Sequence, residues 1–246
     1  MEAAHSRASA TTSGTREKRT TLTPDRTTLS DKHNKPTLAR PWSSWLVLIA
    51  VASLAGFVVL AVAVTGGGTA VDADERLAHW VAERWPATGE WLARPFSWLG
   101  GWIGITILTA VGSIALLRQR AWLDLCFLLT AVLGSQVTVA LLKLWFDRPR
   151  PNGDAAIAVP SSSSFPSGHA AAGAATLGAV ALLAAERLPS ARARRWLWAA
   201  AVAVGLAVGL SRIALGVHYA SDVLAGWCLG LAWLAGCLLV RDAIRR

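Results

Sequence analysis

The sequence predicts an all-α, polytopic membrane protein with six transmembrane helices. Of its 246 residues, 54% are hydrophobic and only 16% charged, whereas an ordinary soluble domain is about a quarter charged. The apolar residues are gathered into long blocks rather than spread along the chain, and the basic residues cluster beside those blocks. So much apolar sequence excludes disorder for most of the chain. A disulfide scaffold is excluded as well: Cys126, Cys228 and Cys237 lie inside apolar runs and read as small buried hydrophobes.

Taken in order, residues 1–42 are rich in Thr, Ser, Lys and Arg and lack apolar periodicity. They are expected to form a disordered basic tail near anionic lipid, ahead of a membrane domain over 43–246. The tail does not read as a cleavable signal peptide, because the first apolar run begins more than forty residues in and is too long. Six apolar runs follow: Trp45–Thr65, Trp98–Leu117, Trp122–Leu142, Ala170–Ala185, Trp196–Leu215 and Val223–Val240. A bilayer core of ~30 Å needs about 20 helical residues, and the two shorter runs gain length from polar residues at their ends. Between the first two runs, Leu77, Trp80, Val81 and Trp85 recur at helical spacing among Asp74, Glu75, Glu83 and Arg84. Segment 67–97 therefore reads as an interfacial amphipathic helix, with His79 as a surface residue. Residues 152–165, which include Ser161–Ser164, read as a small, polar, mobile connection.

The net charge is +9, from 24 Lys and Arg against 15 Asp and Glu. Its placement argues against nucleic acid as a partner. The tail, Arg118 and Arg120, the stretch Arg187–Arg195, and Arg241, Arg245 and Arg246 must share one face if there are six spans. The positive-inside rule makes that face cytoplasmic, with both termini on it, and makes the location a cell membrane. Segments 67–97, 143–169 and 216–222 then lie on the outer face. Trp42, Trp45, Trp98, Trp122, Trp196 and Trp198 sit at run ends as interfacial anchors.

Polar residues at the outer ends of spans three to six are the unexpected feature. A charge at bilayer depth costs ~2.5–3.5 kcal/mol, yet Lys143 closes the third run. Arg148, Arg150, Ser167, His169, Ser211, Arg212, His218 and Asp222 belong to the same face. Two histidines, an aspartate and several cations read together as an anion site with acid–base chemistry. Pro166 and Ser167 precede an Ala-rich run as a helix start, with Ser167 as its cap. Gly168 lets a ligand approach a backbone whose free N–H groups favour an anion, and His169 faces it. His218 and Asp222, four apart, share one side of a helix that begins near Tyr219. Such a carboxylate fixes the imidazole tautomer and leaves the other ring nitrogen free to attack. Arg148 reads as an extra cation beside Asp147, its expected partner.

The spacing Lys143-x6-Arg150-Pro151, Pro166-Ser167-Gly168-His169 and Ser211-Arg212-x5-His218-x3-Asp222 resembles the three-part signature of the type 2 phosphatidic acid phosphatase superfamily. Bacterial acid phosphatases and vanadium haloperoxidases share that signature, and all eleven fixed positions match. The resemblance implies a membrane enzyme that hydrolyses a lipid phosphate or diphosphate, such as a polyprenyl diphosphate (undecaprenyl diphosphate among them), phosphatidate or phosphatidylglycerophosphate. It implies that His218 attacks phosphorus and Asp222 orients it, while His169 protonates the leaving oxygen and then activates water. Lys143, Arg150, Ser167, Gly168 and Arg212 hold the phosphoryl oxygens. No metal and no cofactor are expected. A phosphotransferase and a non-catalytic lipid-phosphate-binding protein stay open on the same scaffold. A haloperoxidase is disfavoured because family members with that activity are soluble.

Overall fold

The computed structural model describes residues 41–85, 87–151 and 162–246, with backbone alone at 41–43, 87 and 88. The tail before residue 41 and the stretch 152–161 of the polar connection lie outside the described residues. Within them the chain is all helical, in the order α1 (Pro41–Thr65), α2 (Thr69–Arg84), α3 (Ala87–Leu99), α4 (Trp102–Arg118), α5 (Trp122–Lys143), α6 (Gly168–Ala185), α7 (Ala191–Ala214) and α8 (Ala220–Ile244). Helices α1, α5, α6, α7 and α8 are each long and apolar enough to cross a membrane, and α4 joins them if it is taken with α3. Their outward faces carry Leu48, Val59, Ile107, Val137, Val202 and Leu231, all exposed. Helices that remain apolar on the face turned away from their neighbours need lipid there.

The bundle is built around α6, which packs on α4, α5, α7 and α8. Ten of its eighteen residues are buried, and seven of those are alanine. Small side chains let backbones approach closely, which substitutes for the hydrophobic drive that lipid removes. The tightest approach is to α8, where a Cβ on Gly226 would lie 2.5 Å from the Ser167 carbonyl oxygen and one on Gly230 2.4 Å from that of Ala171. These two glycines press the start of α8 against the start of α6. Below them, Leu128, Ala131, Val132, Ala179 and Leu234 form the main apolar core.

At the far end from the start of α6, Asp124 accepts hydrogen bonds from Arg187 at 2.9 Å, Arg241 at 2.7 Å and Arg245 at 2.5 Å. Glu186 takes the rest of Arg241 at 2.6 Å. A buried cation is tolerable only when it is paired in this way. The cluster ties α5, α6 and α8 together at that end.

Several expectations change. Segment 67–97 is two helices rather than one, and the second apolar run starts at Trp102 instead of Trp98. Gly100 and Gly101 separate α3 from α4 at a bend of 41°. A Cβ on Gly100 would fall 2.1 Å from Val208 Cγ1 of α7, so a side chain at the break would collide with that helix. The stripe Leu77, Trp80 and Trp85 faces outward, and the inward face of α2 buries Asp74. His79 is exposed, as expected. Cys126 is also exposed rather than buried, on the outward side of α5, while Cys228 and Cys237 are half-buried.

Candidate active site

Four helix ends meet at one place: the close of α5 at Lys143, the start of α6 at Gly168, the close of α7 at Arg212 and the start of α8 at Ala220. Two short connections complete it. After α7, Gly216 adopts a left-handed conformation (φ +64°) that costs a glycine little, and the chain reverses through Val217 and His218 into α8. Before α6, residues 162–167 fold inward. Ser164, Phe165, Pro166 and Ser167 are buried, and the Phe165 ring stacks near Phe57 of α1 at 5.9 Å and packs edge-on to Phe146 at 4.7 Å. The described end of the connection is therefore wedged into the core, contrary to the reading of a mobile polar loop. The Phe165–Pro166 peptide is cis. Ser167 occupies the N-cap position of α6, but its hydroxyl makes no cap hydrogen bond and Pro166 lies outside the helix.

His218 is 3% exposed and Asp222 fully buried. Their contact is His218 Nδ1 to Asp222 Oδ2 at 3.4 Å, and the same oxygen accepts the Tyr219 N–H at 2.9 Å. Asp222 thus satisfies a free N–H of the first turn of α8 while it orients the ring. With Nδ1 carrying the proton toward the carboxylate, Nε2 keeps its lone pair, and Arg150 Nη1 stands 3.3 Å from it. Burial holds the His218 imidazole down to about 4; Asp222 pulls it part of the way back, while Arg150 and Arg212 push it lower. It is therefore uncharged near neutral pH.

Around His218 stand the cations. Arg150 Nη1 is anchored by the Val217 carbonyl at 2.7 Å, Lys143 Nζ donates to the Ser163 carbonyl, and Arg212 donates to the Ser97 hydroxyl of α3. Among the described residues each is held by a neutral group, and no carboxylate forms an ion pair with it. Among the described residues, the buried polar atoms without a hydrogen-bond partner include Arg150 Nε, Arg212 Nε, Ser164 Oγ and Ser167 Oγ. Leaving such groups unsatisfied costs about 1–3 kcal/mol each, which an anion with several acceptor oxygens would relieve. His169, half-buried, lines a cavity of about 430 Å³ together with Ser97, Trp98, Trp102, Arg94 and Arg212. A Cβ on Gly168 would meet nothing nearer than Val139 Cγ1 at 3.5 Å, so protein packing does not demand glycine there.

The structure thus brings Lys143, Arg150, Ser167, Gly168, His169, Arg212, His218 and Asp222 to one end of the bundle. It also corrects the reading of Arg148. Instead of pairing with Asp147, Arg148 reaches Asp222 Oδ1 at 2.6 Å, Ser221 Oγ at 2.7 Å and Asp74 Oδ2 at 2.8 Å. Asp74 and Ser97 had no place in the sequence reading of the site. For Asp74 a signal existed: it lies on the helix face of Ala70, Val71, Ala78 and Val81, a lone acid among small apolar residues. Ser97 offers none.

An all-helical bundle with membrane-length apolar helices and a histidine–aspartate pair in a ring of cations defines a class of integral-membrane protein with a cationic site at one end of its helices. Residues 124–246, half of the chain, match the PAP2 superfamily, and the protein belongs to it. It is 33% identical over 129 residues to phosphatidylglycerophosphatase B of Bacillus subtilis (strain 168), an alignment covering 52% of this chain and 62% of that protein. To decaprenylphosphoryl-5-phosphoribose phosphatase of Mycobacterium tuberculosis it is 39% identical over 138 residues, covering 52% and 66%. To undecaprenyl-diphosphatase of Sulfolobus acidocaldarius it is 37% identical over 76 residues, covering 31% and 32%. The chain therefore spans less than two thirds of each of these relatives. The crystal structure of a transmembrane PAP2-type phosphatidylglycerolphosphate phosphatase from Bacillus subtilis superposes with a TM-score of 0.73 at 27% identity, over 80% of this chain and 98% of that one.

Proposed function

We propose that the protein is an integral-membrane phosphatase that hydrolyses a lipid phosphate or diphosphate through a phosphohistidine, without a metal. The observation that carries this reading is a buried imidazole with one nitrogen held toward a carboxylate and the other turned to Arg150 amid unpartnered donors. His218 Nε2 attacks phosphorus, the bond from phosphorus to the lipid oxygen breaks, and His169 gives that oxygen its proton. Water then attacks the phosphohistidine, His169 takes the water proton, the phosphorus–nitrogen bond breaks and inorganic phosphate leaves. Lys143, Arg150 and Arg212, with Ser167 and the Gly168 N–H, hold the phosphoryl oxygens and offset charge in the transition state. Three fixed cations can take the place that a divalent ion fills in other phosphoryl-transfer sites.

The names of the relatives support a lipid carrying a phosphomonoester or a diphosphate, presented at the membrane. The basic residues at the helix ends opposite the motif support a cytoplasmic location for both termini and an extracytoplasmic site. The test is phosphate release by the purified protein in detergent with EDTA present, on undecaprenyl diphosphate, phosphatidate and phosphatidylglycerophosphate, beside a His218→Ala control. Release that survives chelation and is lost in the variant supports the reading, and the best substrate names the lipid. No release from any of the three by folded protein sinks it.

A further inference from the structure

The buried charges around Asp222 exceed what holding His218 requires. One carboxylate oxygen, Oδ2, already serves His218 Nδ1 and the Tyr219 N–H. The other, Oδ1, is taken by Arg148 Nη1 at 2.6 Å, and Arg148 Nη2 continues to Asp74 Oδ2 at 2.8 Å. Asp74 in turn accepts the Ser221 N–H at 3.1 Å and the Ser221 hydroxyl, both in the first turn of α8. The Arg148 guanidinium carbon lies over the Tyr219 ring, 4.2 Å from its centroid. Its position is fixed at the backbone as well, since its carbonyl accepts the Ser164 N–H at 2.9 Å. Arg148, Asp74 and Asp222 side chains are 11%, 6% and 0% exposed, so little solvent screens this chain of charges.

We propose that Asp74 and Arg148 are positioning residues that act on His218 through Asp222, with α2 supplying the outermost member of an Asp74–Arg148–Asp222–His218 relay. The proposal rests on the phosphohistidine reading above. Arg148 holds the Asp222 carboxylate so that Oδ2 faces the imidazole, and it draws part of that carboxylate's field away from the ring. Asp74 divides the guanidinium charge between two carboxylates and so sets how much of the Asp222 charge His218 feels. Neither residue reaches the reacting phosphorus; both decide the angle and the field in which Nε2 works. Outer partners of a metal-bound histidine typically change affinity or activity about 10–100-fold when they are removed.

The two residues have opposite electrical effects on His218, which separates a relay from simple packing. The groups facing His218 are Asp222 from α8, Arg150 from the connection after α5 and Arg212 from α7, with Lys143 and His169 completing the ring from α5 and α6. Asp74 and the nearby Glu75 approach from α2. Removing the positive charge at 148 leaves Asp222 uncompensated, so the imidazole binds a proton more readily. Removing the negative charge at 74 turns the Arg148 charge more fully on Asp222, so the imidazole binds a proton less readily.

The experiment measures kcat, KM and the acid limb of kcat/KM on phosphatidylglycerophosphate and undecaprenyl diphosphate in detergent, for the wild type, His218→Ala, Asp74→Asn, Arg148→Lys and Arg148→Gln. The expected result is a kcat about 10–100-fold lower in Asp74→Asn and Arg148→Gln, with KM within about twofold of the wild type. The acid limb moves to higher pH in Arg148→Gln and to lower pH in Asp74→Asn, and Arg148→Lys recovers part of the lost kcat. If Arg148→Gln fails to fold, the near-isosteric Asp74→Asn and the charge-conserving Arg148→Lys decide the matter. An active wild type with an inactive His218→Ala, but with limbs that do not move or that move together, overturns the relay alone. A loss confined to KM does the same. A wild type that releases no phosphate overturns the functional reading on which the relay rests.

Discussion

His218 combines three conditions that one residue rarely meets: it is buried, it sits four residues before a carboxylate, and it lies at the end of a turn that a left-handed glycine closes. Its pKa, pushed down by burial to about 4, has two consequences. In the mechanism proposed above the free imidazole attacks phosphorus, so the acid limb of kcat/KM is expected well below the ordinary histidine value of about 6.5. A pH–rate profile whose acid limb falls at ordinary histidine pH would contradict this. For stability the sign is that of a depressed base. The unfolded chain binds the proton first, so the His218 contribution is intact above about 6.5 and is lost as pH falls toward about 4. Thermal unfolding in detergent across that interval should show the decline, and His218→Phe should make it shallower. Gly168 gives a second prediction at this scale. A Cβ there contacts Val139 at an ordinary 3.5 Å, so Gly168→Ala should keep the wild-type unfolding temperature. Phosphate release should nevertheless fall at least about tenfold, because in the proposed site the methyl takes space assigned to the phosphoryl group.

Among elements, α6 and α8 matter most, since their close crossing sets the distance between the two halves of the site. The Ser167 N–H donates to the Asp222 carbonyl at 2.9 Å, and this bond exists only because Gly226 lets the backbones touch. Gly226→Val should cost about 1–3 kcal/mol from overpacking, and it should lower activity more than that loss of stability explains. Chemical unfolding beside an activity assay would separate the two effects. At the other end of the same helices, Asp124→Ala leaves Arg241 buried with Glu186 as its remaining partner. The expected loss is about 3 kcal/mol of stability, with catalysis in the surviving folded protein unchanged. The spans and motif positions were legible in the sequence because lipid imposes runs of about twenty apolar residues and phosphate chemistry imposes fixed spacings. The helix break at Gly100–Gly101 was not, and the residue that a Cβ on Gly100 would strike, Val208, is more than a hundred residues away. The partners of Arg148 were hidden for the same reason. Asp147 is its neighbour in sequence, but Asp74 and Asp222 reach it only through the packing of α2 against α8.

For the whole molecule, the order of spans and the distribution of arginine make one prediction. A reporter fused within 152–165 should read extracytoplasmic and one within 187–195 cytoplasmic. The reverse outcome would move the substrate to the inner leaflet and leave the chemistry intact. The family match begins at residue 124, yet three of its key side chains are completed from before that point. Arg148 is balanced by Asp74, Arg212 is held by Ser97, and Phe165 is stacked against Phe57. The motif side chains therefore depend on packing from the first half of the chain. A chimera that replaced residues 41–118 with the equivalent stretch of a relative would keep every motif residue. It would still fail unless the donor brought an acid, a hydroxyl and an aromatic ring to the same three places.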